Sequence, residues 1–123
     1  MRLKLSLPPS VNHMYVNGRM GHRLTRILSK SAKQWFSRAS EQTKEWITET
    51  EWKVSNSKTI VKLWYYFPDY RRRDTHNTLK ILLDALEEGG IYVDDKYALP
   101  QIMDYEVDKE EPRIEIEFEV MKE

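Results

Sequence analysis

The stretch from Lys58 to Phe67 constrains the fold more than any other part of the chain. Thr59-Ile60-Val61 and Trp64-Tyr65-Tyr66-Phe67 concentrate β-branched and aromatic side chains, which suit a pleated, half-buried surface, and Pro68 ends the run by removing a ladder donor. This predicts a strand. Its aromatic residues read as core rather than as a base-stacking platform, because large apolar rings on a strand are usually buried. Soon afterwards the period changes: Leu79, Leu82, Leu83 and Leu86 share one helical face, and Gly89-Gly90 supplies a C-terminal cap. His76, Lys80 and Asp84 share the opposite face of this second helix.

The remaining segments fit around that strand and helix. Leu3, Leu5 and Leu7 alternate with polar residues and predict a first strand over 2 to 7, ended by Pro8-Pro9. Residues 10 to 28 show no apolar period and read as a long polar loop, of a length that in a compact domain is usually functional or disordered. Ala32, Trp35, Phe36, Ala39, Thr43, Trp46 and Ile47 predict an amphipathic helix from a Ser29 or Ser31 cap to about Thr50. After the short apolar segment Ile91-Tyr92-Val93, two alternating runs flank the turn-like residues 108 to 112: Met103, Tyr105 and Val107, then Ile114, Ile116, Phe118 and Val120. These predict a closing β-hairpin. The expected fold is mixed α/β (α+β): one domain over residues 1–123, in the order β-α-β-α-β-hairpin, with a mixed sheet and two helices.

A chain of 123 residues, 40% hydrophobic and 33% charged, has the size and balance of one soluble domain. The absence of cysteine excludes disulfides, thiolate nucleophiles and cysteine-based metal sites. No apolar run approaches the roughly 20 residues of a membrane span, and the start lacks a signal-peptide core, so a cytoplasmic protein without membrane contact is expected. Twenty basic and twenty acidic side chains cancel, but they are segregated. Residues 1 to 38 carry +8 (Arg2, Lys4, Arg19, Arg23, Arg26, Lys30, Lys33, Arg38), residues 39 to 80 carry +2, and residues 81 to 123 carry −10. Such polarity suggests a basic surface for a polyanion beside acidic groups with other work; a solvated acidic end with an internal counter-charge is the plainer alternative.

No Walker loop, dinucleotide-binding turn, esterase elbow or zinc-protease helix is present, which leaves the carboxylates. Asp74 stands at the start of the second helix, where it can cap, and Asp94-Asp95 can be a simple turn. A joint reading is also open. A twelve-residue helix from about Asn77 to Glu88 is roughly 18 Å long. Six extended steps from Gly89, at about 3.3 Å each, can bring Asp94 or Asp95 back toward Asp74 and His76. Two carboxylates and an imidazole, with Lys80 one turn along, would make a metal site with a cation beside it for a phosphate.

The run Arg71-Arg72-Arg73-Asp74-Thr75-His76-Asn77-Thr78-Leu79-Lys80, with Asp84-Ala85-Leu86, Gly89-Gly90 and Asp94-Asp95 after it, resembles the central motif of the RusA-type Holliday-junction resolvases, R-R-D-x-D-N-x-x-K, D-A-L and D-D. The segment Pro8-Pro9-Ser10-Val11-Asn12-His13-Met14-Tyr15 is similar to that family's P-P-S-x-N-x-x-Y, so that Asn12 and Tyr15 fall on its N-terminal motif. The resemblance implies a homodimeric endonuclease, common in phages and prophages, that nicks four-way DNA junctions in symmetrical pairs with Mg²⁺, or alternatively Mn²⁺. It places metal-binding and catalytic aspartates on Asp74, Asp94 and Asp95, the family's asparagine on Asn77 and its active-site lysine on Lys80. One position departs: His76 replaces an aspartate, removing a negative charge and offering a nitrogen donor that suits softer ions than Mg²⁺. Arg71, Arg72 and Arg73, together with Arg19, Arg23, Arg26 and Lys30 of the basic loop, are expected to hold junction phosphates, with Asn77 beside them.

A second alignment, Pro68-Asp69 followed by Asp94-Asp95-Lys96, satisfies the loose P-D and D-x-K pattern of restriction-type nucleases, although the middle residue there is usually apolar. Two readings from other classes also stand: a non-catalytic junction-binding module of the same fold, and a protein-interaction domain using the acidic C-terminal end.

Overall fold

A computed structural model describes residues 1–9, 15–20, 23–71 and 73–121, with the backbone alone over 15–20 and 23–28. The chain runs β1 (Leu3–Leu5), β2 (Tyr15–Met20), β3 (Arg23–Leu28), α1 (Lys30–Thr50), β4 (Thr59–Phe67), a 3₁₀ turn (Thr75–Thr78), α2 (Leu79–Gly89), a second 3₁₀ turn (Asp95–Tyr97), β5 (Ala98–Val107) and β6 (Arg113–Val120). The mixed α and β architecture matches the expected class.

Strand β4 lies inside a four-stranded sheet of order β1-β6-β4-β5. Its alternation resolves the aromatic run: Thr59, Val61, Leu63 and Tyr65 are buried, and Ile60, Lys62, Trp64 and Tyr66 are half-buried on the other face. The buried face meets both helices. Leu3, Leu5, Val61, Leu63, Tyr65, Ile114 and Ile116 from the sheet pack with Ala39 and Trp46 of α1 and Leu82, Ala85 and Leu86 of α2. Burying a Leu- or Ile-sized side chain is worth about 1.5–3 kcal/mol, so this layer dominates the stability of the fold.

The first helix begins as expected, with the Ser29 hydroxyl accepting from the Ala32 N–H at 3.2 Å. It buries Ala32, Ala39, Ser40, Thr43 and Trp46. The Gly89-Gly90 pair closes α2. Gly90 takes a left-handed φ of 104° and donates to the carbonyls of Leu86 and Glu87. Gly89 permits a close approach, since a Cβ there would lie 2.5 Å from Thr43 Cβ.

Two expectations are corrected. The segment read as a polar loop over 10 to 28 contains an antiparallel ribbon of β2 and β3, registered from Tyr15↔Leu28 to Met20↔Arg23. Its ladder is made by backbone groups, which impose no hydrophobic period on the sequence. Nor do the last two strands pair as a hairpin: β5 is parallel to β4, β6 is antiparallel to β4, and β4 lies between them. The crossover through α2 carries β5 to one edge of β4 in the parallel sense, leaving β6 the other edge. Residues 108–112 therefore span the end of β4, and the Asp108 N–H donates to the Phe67 carbonyl at 2.8 Å.

Candidate metal and nucleic-acid site

The motif residues fall at the start of α2. Asp74 has extended backbone and caps the 3₁₀ turn, its carboxylate accepting from the His76 N–H at 3.0 Å. His76 is exposed, with Nδ1 3.7 Å from the same carboxylate oxygen. Asn77 is half-buried, and Lys80 is exposed in the first turn of α2. The turn is pinned from beneath: Thr78 donates to the Thr75 carbonyl at 2.7 Å, and its hydroxyl lies 2.7 Å from Tyr65 OH. Burial pushes the Tyr65 hydroxyl up to about 12, so it stays protonated and serves the scaffold.

Asp94 and Asp95 come back onto α2, but beside its later turns. Oxygens of Glu87, Asp94 and Asp95 lie within 4.8 Å of one another, and among the described residues this is the group able to hold a cation. The return is compact because Ile91 and Tyr92 are buried, and the Tyr92 hydroxyl donates to the Leu83 carbonyl at 2.8 Å. Asp94 then caps the second 3₁₀ turn, accepting from the Lys96 N–H at 2.9 Å. The Asp95 N–H donates to Glu87 Oε1 at 2.6 Å. Asp74 is not among these three converging carboxylates. Asp84 is a fourth acid at the site: burial, then a side-chain hydrogen bond shared with Asp95, push its carboxyl up to about 6, with Asp95 and Glu87 adding repulsion and Lys80 opposing it. Crowded carboxylate oxygens of this kind suit a hard divalent cation. Glu87 was not legible as a site residue in the sequence. Its one signal is the spacing of three residues from Asp84, which puts both acids on one helical face.

The arginines divide. Arg73 is held by Asp69 Oδ1 at 2.7 Å and lies over the Phe67 ring, 5.1 Å from its centroid. Arg71 extends into solvent, with Nε 3.9 Å from Asp69. Asp69 also accepts from the Arg71 N–H, and these bonds, that from Arg73 foremost, hold its carboxyl down at about 2. In the restriction-type alignment this aspartate would be a metal ligand; here it is bound to Arg73, and Asp95 lies in a 3₁₀ turn rather than on a core strand. Lys30 is exposed at the first position of α1. Arg19 lies on β2, and Arg23 and Arg26 lie on β3; their side chains, like that of Tyr15 on β2, fall outside the described residues, as do Asn12 and Arg72 altogether.

A comparison with curated proteins found no match. The family described as Endodeoxyribonuclease RusA matches residues 6–119 of the 123-residue chain, spanning every element from the β2–β3 ribbon to β5 and nearly all of β6. With the arginine-flanked Asp74 turn and the Asp94-Asp95 return both inside that match, the chain belongs to the RusA endodeoxyribonuclease family.

Proposed function

We propose that the protein resolves four-way DNA junctions by paired, symmetrical nicks, through metal-dependent hydrolysis of phosphodiesters. The observation that carries this reading is the convergence of Glu87, Asp94 and Asp95 on the face of α2 that Asp84 and Lys80 share, within a chain of the RusA endodeoxyribonuclease family. The residues proposed to hold the ion are Asp94 and Asp95 with Glu87; Asp74 and His76, which lie together at the start of α2 outside that cluster, are proposed as ligands from the motif alone. Mg²⁺ suits the carboxylates and Mn²⁺ tolerates the imidazole. When bound, a divalent cation there supplies an activated water and neutralises charge developing on the phosphate.

The chain's own groups do the rest. Glu87 fixes the backbone of Asp95, so the carboxylate direction is set by the 3₁₀ turn rather than by a free loop. The Lys80 ammonium offers positive charge to a phosphate oxygen or to the departing oxygen. Arg71, Arg72 and Arg73, with Arg19, Arg23, Arg26 and Lys30, hold phosphates and position the junction without reading its sequence. A two-fold homodimer would present two such sites to a nearly two-fold substrate, giving symmetrical nicks. Among the described residues, no helix is long and apolar enough to cross a membrane.

The test is incubation with an end-labelled mobile four-way junction and a matched linear duplex, in Mg²⁺, Mn²⁺ or chelator. Paired nicks on the junction, in the metal samples only, are expected. Equal cutting of duplex and junction at limiting enzyme would remove junction specificity, and cutting in chelator would remove the metal.

A further inference from the structure

Next to the Asp74 turn lies a groove of about 480 Å³, lined by Phe67, Tyr70, Arg71, Arg73, Thr75 and Tyr105 among others, whose aromatic walls no motif explains. Its size is that of a ligand cleft. Two tyrosines border it with 83% (Tyr70) and 69% (Tyr105) of their surface exposed. Both belong to its architecture: Tyr70 follows the end of β4, and Tyr105 is registered with Tyr65 on edge strand β5. At the floor, the Arg73 guanidinium lies over Phe67, and Asp69 keeps it there. The groove therefore offers the rings of Tyr70, with Lys109 Nζ 5.9 Å from its centroid, and Tyr105, and beneath them the Arg73–Phe67 stack, beside the turn that Asp74 caps.

The charge on its walls selects what fits. Arg73 is held by Asp69 and lies on Phe67, which leaves the exposed Arg71 at the rim for a phosphate and gives the groove's own walls over to flat aromatic surface. The exposed Arg71 guanidinium has donors to spare for the edge of a base. A flat, neutral molecule with hydrogen-bonding edges and two π faces matches these walls, and in a nucleic acid that molecule is an unpaired base.

We infer that this groove receives an unstacked nucleobase from the branch point of the junction, held between Tyr70 and Tyr105, while the strand's phosphate passes the Asp74 turn. The inference rests on the junction-resolving reading and deepens it by naming how a branch point is distinguished from continuous duplex. Bases in duplex are stacked and paired, whereas those at a crossover are released at lower cost.

The test uses junctions carrying 5-iodouracil at each branch-point position in turn, irradiated with the full-length protein, and the cross-linked residue identified by mass spectrometry. Cross-links to Tyr70 or Tyr105 from branch-point positions, absent from a matched duplex, are expected. In parallel, Tyr70→Ala and Tyr105→Ala should each weaken junction binding about tenfold. Tyr→Phe at either position should keep wild-type affinity, because the ring supplies the stacking. None of these changes should alter the salt dependence of binding, since no counterion-releasing charge is removed. Cross-links mapping elsewhere, alanine variants that bind like wild type, or alanine variants that lose affinity only by changing oligomeric state would overturn the inference and leave junction nicking intact. Wild-type protein that neither binds nor cuts junctions would overturn both.

Discussion

Asp84 shows at one residue what the carboxylate cluster costs. Its folded carboxyl, pushed up to about 6 by burial and by the bond shared with Asp95, retains a proton that the unfolded chain loses near 3.8. The folded state therefore binds more protons between those values, and this group's contribution to stability falls as pH rises from about 4 to about 6. Asp84→Asn is expected to raise the melting temperature at pH 8 and to flatten that decline; thermal melts at pH 4, 6 and 8 decide it, an unchanged profile assigning the titration elsewhere. Added Mg²⁺ should likewise raise the wild-type melting temperature at pH 8, and raise that of Asp95→Asn less. For the proposed reaction, Asp95→Asn should abolish nicking while leaving junction binding intact or tighter, because it removes repulsion from phosphate. Glu87→Gln, whose amide oxygen can still accept from the Asp95 N–H, should lower activity about 10- to 100-fold by removing a carboxylate charge from the proposed cation site. His76 tests metal preference: His76→Asp should move the order of activity toward Mg²⁺, and a folded His76→Ala with an unaltered metal order would exclude imidazole as a ligand. Asp74, Asp94 and Asp95 could be singled out from residue type and motif. Asp84 was legible only as a motif position on the Lys80 face, and Glu87 not at all, because their part depends on where a buried Tyr92 anchors the returning chain.

Between elements, two contacts govern the framework. α1 and α2 meet where Gly89 faces Thr43, so Gly89→Ala forces overlap with a buried side chain that is itself bonded to the Ala39 carbonyl at 2.7 Å. A loss of about 1–3 kcal/mol is expected, read by urea denaturation; a neutral result would mean the helices separate freely there. On the outer face of the sheet, Glu115 is 8% exposed yet ionic, paired with Arg113 at 2.6 Å and Arg2 at 3.4 Å. Those guanidiniums lie over Tyr66 and Trp64, covering the half-buried aromatic face of β4. Burial raises the Glu115 carboxyl, but its bonds to Arg113 and Arg2 outweigh that and hold it below its ordinary value. Its stabilisation is thus present at neutral pH and lost as pH falls through that lowered value. Glu115→Gln should destabilise the protein at pH 7 and reduce its sensitivity to acid; an unchanged acid transition would place the effect in another carboxylate. The helices, the Ser29 and Gly90 caps and β4 were legible from period and end signals; the 3₁₀ turn that Asp74 caps ahead of α2, and the left-handed Glu51 that ends α1, were not. The pairing of β5 was not, since alternation reports a strand's faces and is silent about which neighbour takes its edge.

At the scale of the molecule, the segregation of charge is the property to test. If exposed arginines at the Asp74 turn hold phosphates, Arg71→Ala should weaken junction binding and reduce its salt slope by about 1, an unchanged slope placing the DNA elsewhere. The proposed homodimer should also couple the two nicks, so that mixing active subunits with Asp95→Asn subunits yields junctions cut on one strand. By itself the sequence determined the α/β class, both helices, the boundaries of the first of them, the central strand and the family motif, because hydrophobic period, capping residues and short motifs act over a few neighbouring positions. It also determined the charge polarity, a property of residue order alone. Tertiary structure alone decided that residues 15–28 contain a ribbon, that β4 separates β5 from β6, and that Asp95 settles beside Glu87. Each depends on backbone pairing or on the burial of residues far apart in the chain, and those free energies are set by the competing partners that the whole fold makes available.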